Sequence, residues 1–405
     1  MANAALSEAK IAKNDEFYTQ YHDIEKEINA YLEYNPDVFR GKTILLPCDD
    51  PYESNFFKYF ALHFKAFGIK KLISTCYDGS PISNRELSLF DDEPPESKTT
   101  RKAHKLVLTD PPDFDGIDII NLPNIKGILS DKYHVIPLSG NGDFRSDEVK
   151  LLRDESDIII TNPPFSLFRE FLSWIVEVNK QFLIIGNMNA ITYKEVFPLI
   201  KNNKLWLGPS ISSGDREFQV PKDYPANAAN WRRDENGNLF LRIKGVRWFT
   251  NLEHGRRHQI LPLMTMANNK KFSRHKELRG KDYQKYDNYD VIEVPFVDAI
   301  PSDYKGIMGV PISFLDKYSP DQFIILGATQ RGCHDEVPDT KKYDDYWEVK
   351  PNGQKTGSSG GKTNENANLV GNDGVKNYFI NKKGDVIQSA YQRIFIKHKK
   401  VKYEN

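Results

Sequence analysis

The chain has 405 residues, 39% of them hydrophobic and 28% charged, which is typical of a globular protein with a large core. Its formal net charge is zero, so any nucleic-acid surface must come from local charge. No apolar stretch approaches the roughly 18 residues of a membrane span, and the N-terminus lacks a signal pattern. Cys48, Cys76 and Cys333 lack zinc or disulfide spacing. We therefore expect a cytoplasmic protein without membrane contact and without a metal.

The first half of the chain alternates short buried strands with helices. After a helical first 40 residues, the apolar runs predict strands at 42–46, 72–76, 135–138, 157–161 and 182–185, and helices at 54–67, 146–153, 166–179 and 193–201. Ser146 is the predicted N-cap of its helix. Residues 79–134 are rich in Pro, Asp, Glu and Ser and are interpreted as an insertion of loops. This order predicts an α/β fold with a parallel sheet and crossover helices.

The second half is irregular and more basic. We place a domain boundary after residue 205, with the core in 1–205 and a C-terminal region in 206–405. Residues 351–374 are rich in Gly, Ser and Asn and are predicted to form a flexible loop, whereas 391–397 predicts a closing strand.

The tetrapeptide Asn162-Pro163-Pro164-Phe165 directly follows the clearest buried strand. Ligands bind at this edge of open α/β sheets, although an Asn-Pro-Pro sequence can also simply end a strand and start a helix. The Asn162 side-chain oxygen and the Pro163 carbonyl can accept both hydrogens of a planar amino group, Pro164 stiffens the turn, and Phe165 can stack on a base. These residues predict methyl transfer to an exocyclic amino group, without a metal.

Two neighbouring strand tips are candidates for a cofactor site. The loop Cys48-Asp49-Asp50-Pro51 offers carboxylates for an amino group or ribose hydroxyls, with a solvated turn as the alternative. Asp143 and Phe144 can hydrogen-bond to and stack on an adenine ring.

A basic stretch spans residues 242–285, with twelve Lys and Arg residues against three acidic ones. It is the candidate for phosphate and base contacts, with a solvated lysine-rich face as the alternative. The candidate DNA contacts are Arg242, Arg247, Arg256, Arg257, Lys270, Lys271 and Arg274, together with Phe218 as a second aromatic side chain against the base. His254 and His258 lie four residues apart but are interpreted as surface residues rather than metal ligands.

The chain resembles the EcoRI-type family of adenine-specific DNA methyltransferases nearly end to end. The likeness is carried by residues 15–21, 48–51, 54–60, 140–146, 161–170, 191–195 and 308–312. It implies a Rossmann-like, S-adenosylmethionine-dependent methyltransferase with target recognition mostly C-terminal to the catalytic motif. It also implies an N-terminal cofactor motif at Phe17, Tyr18 and Thr19. Two departures are a first loop without Gly-x-Gly and a second strand that ends at Cys76, which leaves Asp78 as a weak ribose candidate.

The function predicted from these features is transfer of a methyl group to adenine N6 in a specific double-stranded DNA sequence, with the base flipped out of the helix. The alternatives are methylation of another planar amino group, in cytosine N4, RNA or a protein glutamine, and a non-catalytic DNA-binding protein of the same fold. We expect a monomer, with a restriction endonuclease of the same site as a possible cognate partner that forms no stable complex with it.

Overall fold

The computed structural model describes residues 18–78, 102–111, 135–211, 215–220, 231–329, 333, 336–390 and 392–399. The chain divides into two compact units. The first comprises Met1–Ala190 and Leu205–Gly255, and the second comprises Ile191–Lys204 and Arg256–Asn405. Residues 205–255 thus belong to the first unit, whereas the sequence suggested a division after residue 205.

The first unit contains an eight-stranded mixed sheet with the order β4-β3-β2-β1-β5-β6-β11-β7. Its strands are β1 Thr43–Leu46, β2 Lys71–Thr75, β3 His104–Leu108, β4 Ile136–Pro137, β5 Ile158–Thr161, β6 Gln181–Asn187, β7 Trp206–Leu207 and β11 Val246–Thr250. Strands β2, β1, β5 and β6 are parallel, as predicted. Their carboxyl ends therefore meet at one edge, where the predicted site residues follow the strands.

Helices accompany this sheet. They are α1 Tyr21–Tyr34, α2 Asn55–Leu62, α3 Phe64–Phe67, α4 Asp147–Glu155 and α5 Phe168–Val176. The hydroxyl of Ser54 accepts hydrogen bonds from the amides of Phe56 and Phe57 and caps α2. Ser146 caps α4 by accepting from the Val149 amide, which confirms its predicted role.

Two predictions about the first unit were wrong. The insertion 79–134 contains a strand, β3, which pairs antiparallel with β2. Its buried side chains alternate, with His104, Leu106 and Leu108 pointing inward, and this short period-two pattern supports a strand within a polar segment. The helix predicted at 166–179 is shorter: a 3-10 turn, Phe165–Leu167, precedes α5, which ends at Val176.

A second, three-stranded antiparallel sheet in the first unit has the order β8-β10-β9. Its strands are β8 Asp215–Val220, β9 Trp231–Arg233 and β10 Leu239–Lys244. Phe218, Val220, Leu239 and Ile243 join the main hydrophobic core, so one face of this small sheet is buried.

The second unit holds helices α6 Phe197–Lys201 and α7 Met266–Phe272. The helix predicted at 193–201 is thus shortened to α6. One sheet has the order β12-β13-β20-β14 and the other has the order β16-β15-β18-β19-β17. Their strands are β12 Val291–Glu293, β13 Ile307–Pro311, β14 Phe323–Ala328, β15 Trp347–Val349, β16 Lys355–Ser359, β17 Asn368–Val370, β18 Tyr378–Ile380, β19 Val386–Ser389 and β20 Arg393–His398. The predicted closing strand is confirmed as β20.

The segment 351–374, predicted as a flexible loop, instead contains β16, a 3-10 helix at Gly360–Glu365 and β17. Polar side chains organise it: the buried amide of Asn368 donates to the Thr363 carbonyl at 2.7 Å, and its backbone N–H donates to Asn288. Such hydrogen bonds leave no hydrophobic periodicity in the sequence, which explains why the prediction failed.

Helix α1 is fixed to the first unit by the buried carboxylate of Glu27. It accepts from the Tyr31 hydroxyl at 2.7 Å and from the Ser210 amide at 2.9 Å. The burial of Tyr31 and the charge of Glu27 raise the pKa of Tyr31 well above its usual value, so the tyrosine remains a neutral donor.

We expect Glu27→Ala to lower the free energy of unfolding by about 1–3 kcal/mol, because the Tyr31 hydroxyl and the Ser210 amide would lose a buried acceptor. Urea unfolding measures the change. Glu25→Ala, at an exposed position of the same helix, is the matched control and should stay within about 0.5 kcal/mol of the parent protein. Equal effects of the two substitutions would contradict this role of Glu27.

Candidate active site at the carboxyl edge of the parallel sheet

The carboxylate of Asp49 joins two of the parallel strand tips. One oxygen accepts from the Ser54 hydroxyl and the other from the Thr161 hydroxyl, both at 2.6 Å. Burial raises the pKa of Asp49 to about 6; its two hydrogen bonds oppose the shift and the charge of Asp50 adds to it. Asp49 thus connects the loop after β1 and the start of α2 to the last residue of β5.

The predicted catalytic residues follow immediately. Asn162, Pro163 and Pro164 are buried and Phe165 is half-buried. The Phe165 ring meets the ring of Phe218 edge to face, with centroids 6.4 Å apart and planes at 88°. The strand tip therefore presents an amide, a rigid turn and an aromatic side chain next to the small sheet that carries Phe218.

The N-terminal motif reaches the same region. Tyr18 forms a two-way backbone bridge with Gln219, with N–O distances of 3.1 and 3.2 Å, and the Thr19 carbonyl accepts from the Asn55 side chain at 2.8 Å. Phe17 lies outside the described residues. Within the described ranges, the buried Thr19 hydroxyl and the Gln20 side-chain nitrogen have no hydrogen-bond partner. Two buried polar atoms beside the first loop thus have no hydrogen-bond partner among the described residues.

The loop predicted to bind adenine lies against the tip of β2. Gly142 has a φ of +77°, and a Cβ at this position would lie 2.2 Å from the Cys76 carbonyl oxygen, so only glycine fits. Asp143 forms a two-point ion pair with Arg145, at 2.8 and 2.6 Å. The Phe144 ring is 5% exposed and packs edge to face on Phe171 at 5.0 Å. The Phe144 ring holds the loop against α5, and Asp143 is the more accessible of the two residues.

The remaining first-loop residues are also well packed. Cys48 is half-buried and Pro51 is buried. One oxygen of the buried Asp50 carboxylate accepts from the Tyr52 amide at 2.9 Å. The loop is therefore held by its own side chains and is not a solvated turn.

The candidate DNA contacts of the first unit differ in exposure. Arg242 is exposed and paired with Asp215 at 2.9 Å. Arg247 is buried on β11 and donates to the Val246 carbonyl at 2.8 Å. Phe218 is 2% exposed. Of these three side chains, Arg242 is the exposed one and the better candidate for a phosphate contact.

The candidates of the second unit divide in the same way. Lys271 and Arg274 are exposed, and Arg274 pairs with Asp298 at 2.8 Å. Arg256 is half-exposed, and Lys270 is half-buried and paired with Asp282. Arg257 is buried and donates to Asn203 at 3.3 Å. The exposed cations are therefore the better candidates for phosphate contacts.

The two histidines interpreted as surface residues have separate environments. His254 is buried, with its Nε2 atom 3.1 Å from the Leu207 carbonyl oxygen, which corrects the surface interpretation. His258 is exposed and pairs with Asp321 at 2.9 Å.

Some contributors to the site were missed at the sequence level. Asn55, which binds the Thr19 carbonyl, has no distinguishing signal in a single sequence. Arg232 and Arg233 lie exposed on β9, which pairs with β10, the strand that carries Arg242. Their signal was the Trp-Arg-Arg sequence at 231–233, which lies before the basic stretch 242–285.

Comparison with known proteins gives a consistent result. The family described as "Adenine-specific methyltransferase EcoRI" matches residues 5–399. The chain is 43% identical over 324 residues to the type II methyltransferase M.EcoRI of Escherichia coli, covering 80% of this chain and 89% of that protein. It is 36% identical to M.MpnI of Mycoplasma pneumoniae, covering 79% and 84%. For M.MgeORF184P of Mycoplasma genitalium the identity is 34%, with coverage of 79% and 85%.

No solved structure matches the chain. Within the described ranges, no helix combines the length and apolar character that crossing a bilayer requires. The family match spans both units and includes every strand tip of the candidate site. The chain therefore belongs to the EcoRI family of adenine-specific DNA methyltransferases.

Proposed function

We propose that this protein transfers a methyl group from S-adenosylmethionine to adenine N6 in double-stranded DNA, after the base leaves the helix. The observation that carries the proposal is the turn Asn162-Pro163-Pro164-Phe165 at the end of β5, whose first three residues are buried, next to the hydrogen bond between Thr161 and Asp49. A Rossmann-like topology, with the parallel strands β2-β1-β5-β6 at its centre, is part of the proposal.

The proposed chemistry follows from the electronic structure of the amino group. Its lone pair is delocalised into the base, so the nitrogen is a poor nucleophile. If the Asn162 side-chain oxygen and the Pro163 carbonyl accept its two hydrogens, they favour the tetrahedral form, in which the lone pair points at the methyl donor. Phe165 stacks on the base, and the Phe218 ring packs against the Phe165 ring edge to face. Catalysis then depends on positioning and on hydrogen bonding.

The residues present fit S-adenosylmethionine. The buried Thr19 hydroxyl and the Gln20 side-chain nitrogen, which have no partner among the described residues, are donors for its carboxylate. The loop 48–51 and Asp143 offer acceptors for its amino group and ribose hydroxyls. The cofactor supplies an electrophilic methyl group on a positive sulfur, and the protein holds that group in line with the amino nitrogen. Asp49, whose two oxygens are engaged by hydroxyls, is a positioning residue in this scheme.

The DNA surface in this proposal begins at the small sheet β8-β10-β9. It carries the exposed Arg232, Arg233 and Arg242 and reaches the catalytic turn through Phe218. In the second unit, Lys271 and Arg274 are further candidates, and target recognition by this C-terminal unit is part of the proposal. Such cations bind phosphates and set the register of the protein on the duplex.

The target atom can be tested directly. DNA is incubated with the protein and a methyl-labelled cofactor, and the nucleosides are then analysed by mass spectrometry. N6-methyladenine supports the proposal, whereas N4-methylcytosine, labelled RNA or labelled protein would each overturn it. Sequencing the methylated DNA gives the recognition site.

We expect Asn162→Ala to reduce methyl transfer by at least about 10²-fold, because one of the two acceptors for the amino hydrogens is lost. Cofactor affinity, measured by calorimetry, should change little. Asn29→Ala, at an exposed position of α1, is the matched control. Near-normal transfer by the Asn162 variant would rule out the mechanism.

The raised pKa of Asp49 predicts a pH-dependent stability. The folded protein binds a proton at Asp49 more tightly than the unfolded chain does. This stabilisation is present below the unfolded pKa of 3.8 and is lost as pH rises through about 6. Asp49→Asn removes the titration, so the free energy of unfolding of the parent protein should fall relative to the variant by about 2 kcal/mol between about pH 4.5 and 7.5. Paired urea titrations measure the difference. A difference independent of pH would contradict the burial of this charge.

Removing exposed cations should weaken DNA binding without changing cofactor affinity. We expect Arg242→Ala and Lys271→Ala each to raise the Kd for DNA several-fold and to lower the salt dependence by about one counterion per lost phosphate contact. Fluorescence anisotropy at several salt concentrations measures both quantities. Lys26→Ala, exposed on α1, should leave both unchanged. A variant that weakens DNA binding with an unchanged salt slope would argue against a phosphate contact at its position.

A further inference from the structure

The loop 140–146 places one accessible acceptor at the predicted adenine position. The Phe144 ring is buried against Phe171 of α5, so it is not exposed to stack on a ligand. The side chain of Asp143, by contrast, is 18% exposed. An ionised carboxylate only accepts hydrogen bonds, so it attracts an amino group and repels a carbonyl oxygen. Selection of adenine at this position would therefore depend on where the two oxygens of Asp143 point.

The guanidinium of Arg145 fixes the direction of this carboxylate. Oδ1 of Asp143 accepts from Nε of Arg145 at 2.8 Å, and Oδ2 accepts from Nη2 at 2.6 Å. Oδ1 also accepts from the backbone N–H of Arg145 at 2.9 Å. A planar guanidinium and a planar carboxylate that meet at two points share one plane. The pair therefore leaves the carboxylate of Asp143 little freedom to rotate.

Arg145 is itself held by groups outside this ion pair. Its Nη1 atom lies 3.3 and 3.4 Å from the two carboxylate oxygens of Glu170 in α5. The guanidinium carbon lies 5.3 Å from the centre of the Phe144 ring, a cation–π distance. Isolated exposed ion pairs contribute little, whereas two-point pairs within a network hold their geometry better. The guanidinium is therefore fixed by the loop on one side and by α5 on the other.

The guanidinium group holds Asp143 in a way that a simple positive charge would not. A lysine ammonium is a compact point charge on a flexible stem, so it attracts a carboxylate without fixing its plane. Alanine at position 145 removes both side-chain hydrogen bonds, while the backbone N–H of that residue can still donate to Asp143. The orientation of Asp143 thus depends on the shape of the arginine side chain as well as on its charge.

We propose that Arg145 is a positioning residue that aims the Asp143 carboxylate at the exocyclic amino group of the cofactor's adenine. Arg145 thereby makes cofactor binding selective for adenine over a base that carries a carbonyl oxygen at the same position. This inference rests on the proposed function, because it takes S-adenosylmethionine as the methyl donor.

The test compares two ligands by calorimetry with the full-length protein. One is S-adenosylhomocysteine, and the other is its inosine analogue, whose base carries a carbonyl oxygen in place of the amino group. We expect the parent protein to bind the adenine compound about 10- to 100-fold more tightly, as for a hydrogen bond to a charged group. Arg145→Ala should reduce this ratio to below about 5-fold, because the carboxylate is no longer aimed at the amino group. Arg145→Lys should fail to restore it.

The ratio is taken within each variant, so a general loss of stability or affinity lowers both binding constants alike. Lys150→Ala, which removes a partly exposed lysine of α4 paired with Asp147, is the matched control and should keep the parent ratio. Asp143→Ala should abolish the selectivity, and adding Arg145→Ala to that variant should change the ratio no further, because Arg145 acts through Asp143.

Three results would overturn the inference. They are a parent protein that binds both compounds equally, a parent ratio retained in both Arg145 variants, and tighter binding of S-adenosylhomocysteine by Arg145→Ala. The last result would mean that the arginine competes with the cofactor for Asp143. A parent protein that binds neither compound would instead contradict the proposed function itself, so the two failures are distinguishable.

Discussion

The arrangement of the candidate active site depends on one buried carboxylate. Asp49 costs free energy to bury, and the protein offsets part of this cost with the hydroxyls of Ser54 and Thr161. These donors belong to the start of α2 and the end of β5, so the same hydrogen bonds that satisfy the charge fix the spacing of two strand tips. Asn162 follows Thr161 directly. The position of Asn162, the candidate catalytic amide, is therefore coupled to the hydrogen bonds of a buried carboxylate in another loop.

A second set of contacts brings distant parts of the chain to this edge. The backbone bridge between Tyr18 and Gln219 and the aromatic contact between Phe165 and Phe218 both end on β8. The N-terminal motif, the candidate catalytic turn and the small sheet thus share one strand, β8. One strand can make all these contacts because successive side chains point to opposite faces of the sheet. Phe218 therefore enters the core, whereas its neighbours pair through their backbone and can carry charged side chains on the other face.

The sequence predicted the central strands and the turn at 162–165 because both depend on local rules. Buried parallel strands are continuous apolar runs, and their carboxyl ends share one edge whatever the loops do. The insertion and the segment 351–374 could not be predicted, because β3 is recognisable only by a five-residue alternation. Asn368 stabilises the segment 351–374 through hydrogen bonds to Thr363 within it and to the distant Asn288. The basic stretch predicted charge but not exposure. Arg247 and Arg257 are buried because of the elements that carry them, whereas Arg242 and Lys271 point to solvent.

The adjacent carboxylates Asp49 and Asp50 illustrate why residue type alone does not assign a role. Both were candidate cofactor contacts, and both are buried. Asp49 faces two hydroxyl donors, so its environment is complete within the protein and its role is positional. Asp50 accepts with one oxygen from the Tyr52 amide, and its other oxygen lies 4.0 Å from the Nε2 atom of His104. Successive residues in a loop project in different directions, and the groups that they meet, rather than their shared chemistry, determine what each carboxylate does.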